Sequence, residues 1–308
     1  MKRFSIVTNI SFFIISIALS TLTNNANAER LKYIEFSQLG SPAEVLEVKE
    51  DHSRPLKSGE IRVRVLAVPI NPSDLLQIEG NYGIDPVLPY RPGKEGIGRV
   101  VEISSEIKHL MVGQLVLLVG GETGTWRDEI VAPAVSFLPL PNLGTIDSNM
   151  IEQLSMTVVN PMTALLMLTS FVELEEGQWL VQSASNSAVG GYVIQLAKQR
   201  GIKTINVVRR EGLAEDLIAK GGDVVLIDGP NLTSQITKAT NNAPVKLALD
   251  AVGGDTYTRL ANSLGYGGTL IAYGVLSGKD ATLNPGMTIA NDIRLRSFWL
   301  TKWYEAAE

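Results

Sequence analysis

The sequence predicts an α/β protein of two unlike parts, a mostly β domain followed by a doubly wound parallel sheet. Three observations predict it. The chain has 308 residues, more than one typical domain. From Leu31 to about Val159, short strands alternate with Gly/Pro turns. From Gln178 onward, continuous apolar strands alternate with helix-length segments, the pattern of a parallel sheet covered on both faces.

The first segment stands apart from the fold. Lys2 and Arg3 precede an apolar run from Ser11 to Leu19, and a polar stretch then leads to Ala26-Asn27-Ala28. A basic start, a short apolar middle and a small-x-small site are the parts of a secretory signal peptide. Residues 1–28 are therefore expected to be a leader and the product exported or periplasmic, or cytoplasmic if the leader is unused. The run is shorter than the roughly 20 residues of a membrane span, so the mature chain is expected to have no stable span.

Residues 29–159 form the expected β domain. Glu60–Leu66 alternates polar and apolar residues as a half-buried strand does, and strands near Gly98–Ile103, Gln114–Val119 and Trp126–Val131 continue the pattern. A short helix is expected after Asn71, with Asn71 as cap and Pro72 at the first helical position. Residues 160–301 form the second domain. Its strands are expected at Trp179–Gln182, Thr204–Val208, Val224–Ile227, Lys246–Leu249, Gly268–Tyr273 and Ile293–Phe298. Helices are expected near 188–200, 211–221, 231–240, 254–264 and 286–291. Six strands fit a Rossmann-type dinucleotide-binding sheet.

Composition limits the chemistry. The chain has no cysteine and only two histidines, His52 and His109. Disulfides, thiolate nucleophiles, sulfur-built zinc sites and multi-histidine sites are thereby excluded, and no metal site is expected. The formal charge of −5 argues against general nucleic-acid affinity.

The first chemical signal follows the strand at Trp179. Ser185-Asn-Ser-Ala-Val-Gly190 occupies the place of a G-x-G-x-x-G turn, with Ser185 and Ser187 at the first two glycine positions. Gly190 keeps the third, where a side chain would obstruct helix–strand packing. The following helix offers free N–H groups and a positive dipole end to a pyrophosphate, and the serine hydroxyls are candidate extra donors. The next strand ends at Val208-Arg209-Arg210-Glu211. An NAD site would place a carboxylate there for the ribose, whereas guanidinium pairs with phosphate. The expected cofactor is NADPH, its 2′-phosphate on Arg209 or Arg210.

Longer stretches carry a resemblance. Ile70–Gly83, Gly124-Thr-Trp-Arg127, Val159-Asn-Pro-Met-Thr-Ala164, Ala184–Ser187, Thr204–Arg209, Ala251-Val-Gly-Gly254 and Phe298-Trp-Leu300 with Trp303 resemble the mitochondrial-type trans-2-enoyl-CoA reductases. That branch belongs to the zinc-free medium-chain dehydrogenase/reductase superfamily. The resemblance implies a GroES-like catalytic domain before the Rossmann domain. It implies NADPH-dependent reduction of the C2=C3 bond of enoyl thioesters, on coenzyme A or acyl carrier protein, in fatty-acid metabolism. By position, Tyr82 matches the catalytic tyrosine. Asn160 matches a cofactor contact, and Asn186, Ser187, Ala188 and Val189 match the pyrophosphate turn that ends at Gly190. Arg209, Arg210 and Glu211 match the adenosine-phosphate contacts. Tyr273, Gly274, Val275 and Leu276, with Phe298, Trp299, Leu300 and Thr301, match the nicotinamide side and acyl channel. The strand through Arg294 and Arg296 resembles one through which related enzymes form homodimers.

Residues 302–308 read as the start of a return to the first domain that family members complete. A zinc-independent quinone oxidoreductase and an inactive, truncated nucleotide-binding protein are the alternative expectations.

Overall fold

A computed structural model describes residues 30–119 and 124–306, which fall into two compact units divided after Ser155. The expected leader, residues 1–28, lies outside the described residues.

The first unit is mostly β. Strands β1 (Arg30–Glu35) and β2 (Glu47–His52) form an antiparallel pair. Strands β3 (Glu60–Ala67), β4 (Glu95–Ile103), β5 (Leu115–Val119), β6 (Glu129–Pro133) and β7 (Phe137–Pro139) form a five-stranded sheet in the order β6-β3-β4-β5-β7. All its pairings are antiparallel. Alternation puts Ile61, Val63, Val100, Val116, Leu118 and Ile130 on one buried face, where they form the core of the unit. The strand expected from Trp126 begins at Glu129 instead. Trp126 is held in the preceding loop, its Nε1 donating to the Pro69 carbonyl at 3.1 Å. The helix Pro72–Ile78 starts as the sequence requires, with Asn71 as cap, Pro72 in the first turn and a reciprocal capping box between Asn71 and Asp74.

The second unit contains six parallel strands: β8 (Trp179–Gln182), β9 (Lys203–Val208), β10 (Val224–Ile227), β11 (Val245–Asp250), β12 (Leu264–Ala272) and β13 (Arg294–Ser297). Their order is β10-β9-β8-β11-β12-β13. Counted from β8 as the first, this is the doubly wound order 3-2-1-4-5-6, whose direction reverses between β8 and β11. Two apolar clusters hold the sheet, one around Val193, Ala197, Leu247 and Ile271, the other around Ile205, Ile236, Ala248 and Leu260. The helix expected from 211 begins at Ala214, because Gly212 takes a positive φ of 81° and keeps the chain in a turn. No described helix is long and apolar enough to cross a membrane.

Candidate functional site

In the second unit the chemistry gathers at the carboxyl ends of the strands. Strand β8 leaves the sheet through Ser183, and Ala184 takes a left-handed φ of 47°, a strained conformation for a residue with a side chain. Ser187 then caps the helix Ala188–Gln199, its Oγ accepting from the Gly190 N–H at 3.1 Å. A Cβ on Gly190 would lie 2.5 Å from the Ser185 carbonyl oxygen. The third glycine position is therefore dictated by contact with the turn itself. The buried Gln182 amide fixes the same turn from below, donating to the Gly190 carbonyl at 3.0 Å and to Asn206 Oδ1 at 2.8 Å.

Of the two serines, Ser185 departs from expectation. The Ser185 hydroxyl is fully buried and hydrogen-bonds the carbonyls of Gln182, at 3.0 Å, and Val207, at 3.2 Å. It ties β8 to β9 and is turned away from any ligand. Ser187 lines the cavity in front of the helix.

That cavity, of about 410 Å³, is walled by Ser183, Asn186, Ser187, Arg209, Arg210, Asp228 and Leu276 among others. It brings together the turn, the arginines at the end of β9 and the loop after β12. Glu211 is exposed and lies outside its wall. Ala188, Val189 and Gly190 form the first turn of the helix behind Ser187. Asn160 is buried at the start of the helix Asn160–Thr169.

Tyr273, Gly274, Val275 and Leu276 follow β12 and are laid along the end of β11. The Tyr273 N–H donates to the Asp250 carbonyl at 2.9 Å and the Leu276 N–H to the Ala251 carbonyl at 3.0 Å. The Tyr273 hydroxyl is buried with no hydrogen-bond partner among the described residues. Burial, and after it the Asp250 charge, pushes its pKa above the ordinary tyrosine range. Phe298 is buried in the core, its ring centroid 6.0 Å from Phe171 and 5.7 Å from Trp303. Trp299, Leu300 and Thr301 follow it, half-buried, into the helix Leu300–Glu305.

The sequence reading missed Asp250, which closes the point where strand order reverses. Its carboxylate accepts from Ser183 Oγ at 2.7 Å, the Gly253 N–H at 2.7 Å and the Val252 N–H at 3.2 Å. Burial raises its pKa, and these hydrogen bonds oppose the rise. A side chain with this role carries no local motif, because its partner Ser183 is 67 residues away.

The arrangement fits a dinucleotide. Free N–H groups at a capped helix start suit a pyrophosphate. The glycine is placed where a Cβ cannot be. An unpartnered hydroxyl lies buried behind the turn, and two guanidinium groups line the adenosine end.

In the first unit, Tyr82 follows the helix Pro72–Ile78 and is half-buried. Lys94, also missed, stands over its ring, Nζ 4.3 Å from the centroid. The same ammonium donates to Gln77 Oε1 at 2.5 Å and lies 4.0 Å from the buried Asp74 carboxylate. Burial pushes Lys94 below the usual lysine range, and Asp74 acts in the opposite sense. Asp74 is itself pushed up by burial. Glu95 accepts from Asn71 Nδ2 at 2.9 Å and so braces the start of the helix that leads to Tyr82.

Comparison with known proteins gives the family. Residues 57–142 match the alcohol dehydrogenase GroES-like domain and residues 188–308 match zinc-binding dehydrogenase. A human mitochondrial enoyl-[acyl-carrier-protein] reductase is 35% identical over 292 residues, covering 93% of this chain and 77% of the relative. The chain belongs to this enoyl reductase family. Within the reductase fold, Etr1p of Candida tropicalis superposes with a TM-score of 0.81 at 28% identity, covering 90% of this chain and 84% of that one. Etr1p has been solved with NADP and crotonyl-CoA, and as a heterodimer with Etr2p. A NADPH:quinone reductase from Bacillus thuringiensis superposes at 0.79 with 31% identity, covering 90% and 82%.

The expected export is corrected by these relatives. The human reductase and those of Dictyostelium discoideum and Arabidopsis thaliana are mitochondrial. The leader composition misled because a basic segment free of acidic residues is shared by organellar transit peptides and secretory signals.

Proposed function

We propose that the protein reduces the C2=C3 double bond of trans-2-enoyl thioesters, on coenzyme A or acyl carrier protein, with NADPH. The substrate class is supported by kinship with enoyl reductases along 93% of the chain. The cofactor is supported by one observation above others: the Gly190 turn and the Arg209–Arg210 pair share one cavity wall with the helix start. NADPH supplies the hydride that reaches the β-carbon. In this reading, Asn186, Ser187 and the N–H groups of Ala188 and Val189 hold the pyrophosphate, and Gly190, its own N–H bonded to Ser187 Oγ, keeps the turn close to the helix. Arg209 and Arg210 hold the 2′-phosphate, while Asn160 and Tyr273 to Leu276 orient the nicotinamide end. Tyr82 donates a hydrogen bond to the thioester oxygen as it gains negative charge, and the α-carbon then takes a proton.

The test follows NADPH oxidation by the full chain, first with crotonyl-CoA and then with a quinone. Turnover with the enoyl thioester is expected. Turnover with quinone alone would replace this reading with the quinone reductase one, and cofactor binding without any turnover would favour the inactive reading.

A homodimer is part of the same proposal. Among the described residues, strand β13 is an edge strand paired with β12, and all four of its residues are exposed, Leu295 at 44%. Sedimentation equilibrium is expected to give twice the chain mass, and Leu295→Glu to shift it toward the monomer. A monomeric wild-type chain would refute the assembly.

A further inference from the structure

We propose that Arg259 sets cofactor preference by cancelling the charge of Asp228 in the wall of the adenosine cavity. The inference rests on the NADPH reading above and concerns a group outside the arginine pair already assigned.

Asp228 follows β10 directly and lines the same cavity as Arg209 and Arg210. A carboxylate in that wall is a liability for a cofactor with a phosphate on its ribose. It repels the phosphate, and an unoccupied carboxylate accepts readily from the free ribose hydroxyls of the other dinucleotide. In this chain neither carboxylate oxygen is left unoccupied. Oδ1 accepts from Arg259 Nε at 2.8 Å. Oδ2 accepts from Arg259 Nη2 at 2.8 Å and from Thr256 Oγ1 at 2.5 Å. The pairing is the two-pronged guanidinium–carboxylate geometry that fixes both groups in place.

The helix Gly254–Asn262 delivers both donors, because residues 256 and 259 are three apart and share a face. The side chains of the pair are only about one-fifth exposed, at 22% and 20%, so water screens their charges less than it would on an open surface. Asp228 holds the Arg259 guanidinium above its usual range, and Asp255 adds to the effect. Charge is therefore balanced at Asp228, whose N–H donates at 2.9 Å to the carbonyl of Val208, the residue before Arg209, and the positive charge of Arg209 and Arg210 remains available to a phosphate.

Equilibrium binding to the full chain tests this without turnover. NADPH and NADH are titrated by nucleotide fluorescence at fixed ionic strength against wild type, Arg259→Met, Asp228→Asn and the double variant. Arg259→Met is expected to weaken NADPH about tenfold by exposing the carboxylate charge, with NADH little changed. Asp228→Asn is expected to keep or increase the preference for NADPH. The double variant is expected to restore the wild-type ratio, since both charges are then gone. Arg259→Lys keeps the charge without the two-pronged bond, and its ratio is expected to stay near wild type even if stability falls. Equal loss of both nucleotides in Arg259→Met, or no recovery in the double variant, would show a purely structural ion pair and overturn the inference. A wild-type chain with no preference for NADPH would instead overturn the cofactor reading, and this inference with it.

Discussion

Gly190→Ala is expected to weaken NADPH binding by more than about tenfold, on the scale expected when positioning groups shift by an ångström. The added Cβ would stand 2.5 Å from the Ser185 oxygen and 2.7 Å from both its carbonyl carbon and its Cα. These are backbone atoms of a turn held by the Ser185 and Gln182 hydrogen bonds, so no flexible side chain can move aside. Either the turn opens or the helix Ala188–Gln199 withdraws, and both displace the N–H groups meant for the pyrophosphate. Stability should fall by roughly 1–3 kcal/mol, the usual result of overpacking. Gly191→Ala is the matched control. Its nearest neighbours would be Lys220 Nζ at 3.8 Å and Cδ at 3.9 Å, ordinary contacts at the end of a flexible side chain. That variant should keep its cofactor affinity and gain up to about 1 kcal/mol, because alanine favours the helix. Nucleotide titration and thermal melts of the two variants check the pair. Equal behaviour of both would remove the special role of position 190.

The features legible in the sequence are those whose physical cause is local. The switch from alternating to continuous apolar strands marked the two units, because a sheet covered on both faces needs no polar face. Gly190 was legible because turn, cap and helix start lie within six residues. The arginines at the end of β9 were legible because strand ends in this topology face a ligand. What escaped was fixed by contacts distant in sequence. Asp250 meets Ser183 across 67 positions, and Asp228 meets Arg259 across 31. The inward turn of the Ser185 hydroxyl escaped for the same reason, since its acceptor Val207 lies on the neighbouring strand. Phe298 shows the reverse case: a position matched to the site by resemblance has its ring packed against Phe171 and Trp303.

Tyr82→Phe is expected to lower kcat for crotonyl-CoA by about 10²–10³, the usual cost of removing one donor from a developing oxyanion. The substitution deletes the hydroxyl and keeps the ring, so the site around it should persist. Lys94 would still have an aromatic face beneath its ammonium, and its bond to Gln77 Oε1 at 2.5 Å and its approach to Asp74 at 4.0 Å do not involve the phenol. Thermal stability should therefore stay within about 0.5 kcal/mol of wild type, as for a substitution that leaves packing intact. NADPH affinity should be unchanged, because the turn, cap and arginines proposed to hold it belong to the other unit. The separation is diagnostic. A fall in kcat with constant nucleotide affinity and constant melting temperature places the hydroxyl in the chemical step. A fall in all three would mean that Tyr82 holds the loop and does not take part in the reaction. An unchanged kcat would leave stabilisation of the thioester oxygen to another donor. Lys94→Met refines the test, because it removes the cation above the ring and keeps the phenol. If the ammonium polarises Tyr82 as a donor, this variant should lose part of the same rate without the hydroxyl being touched.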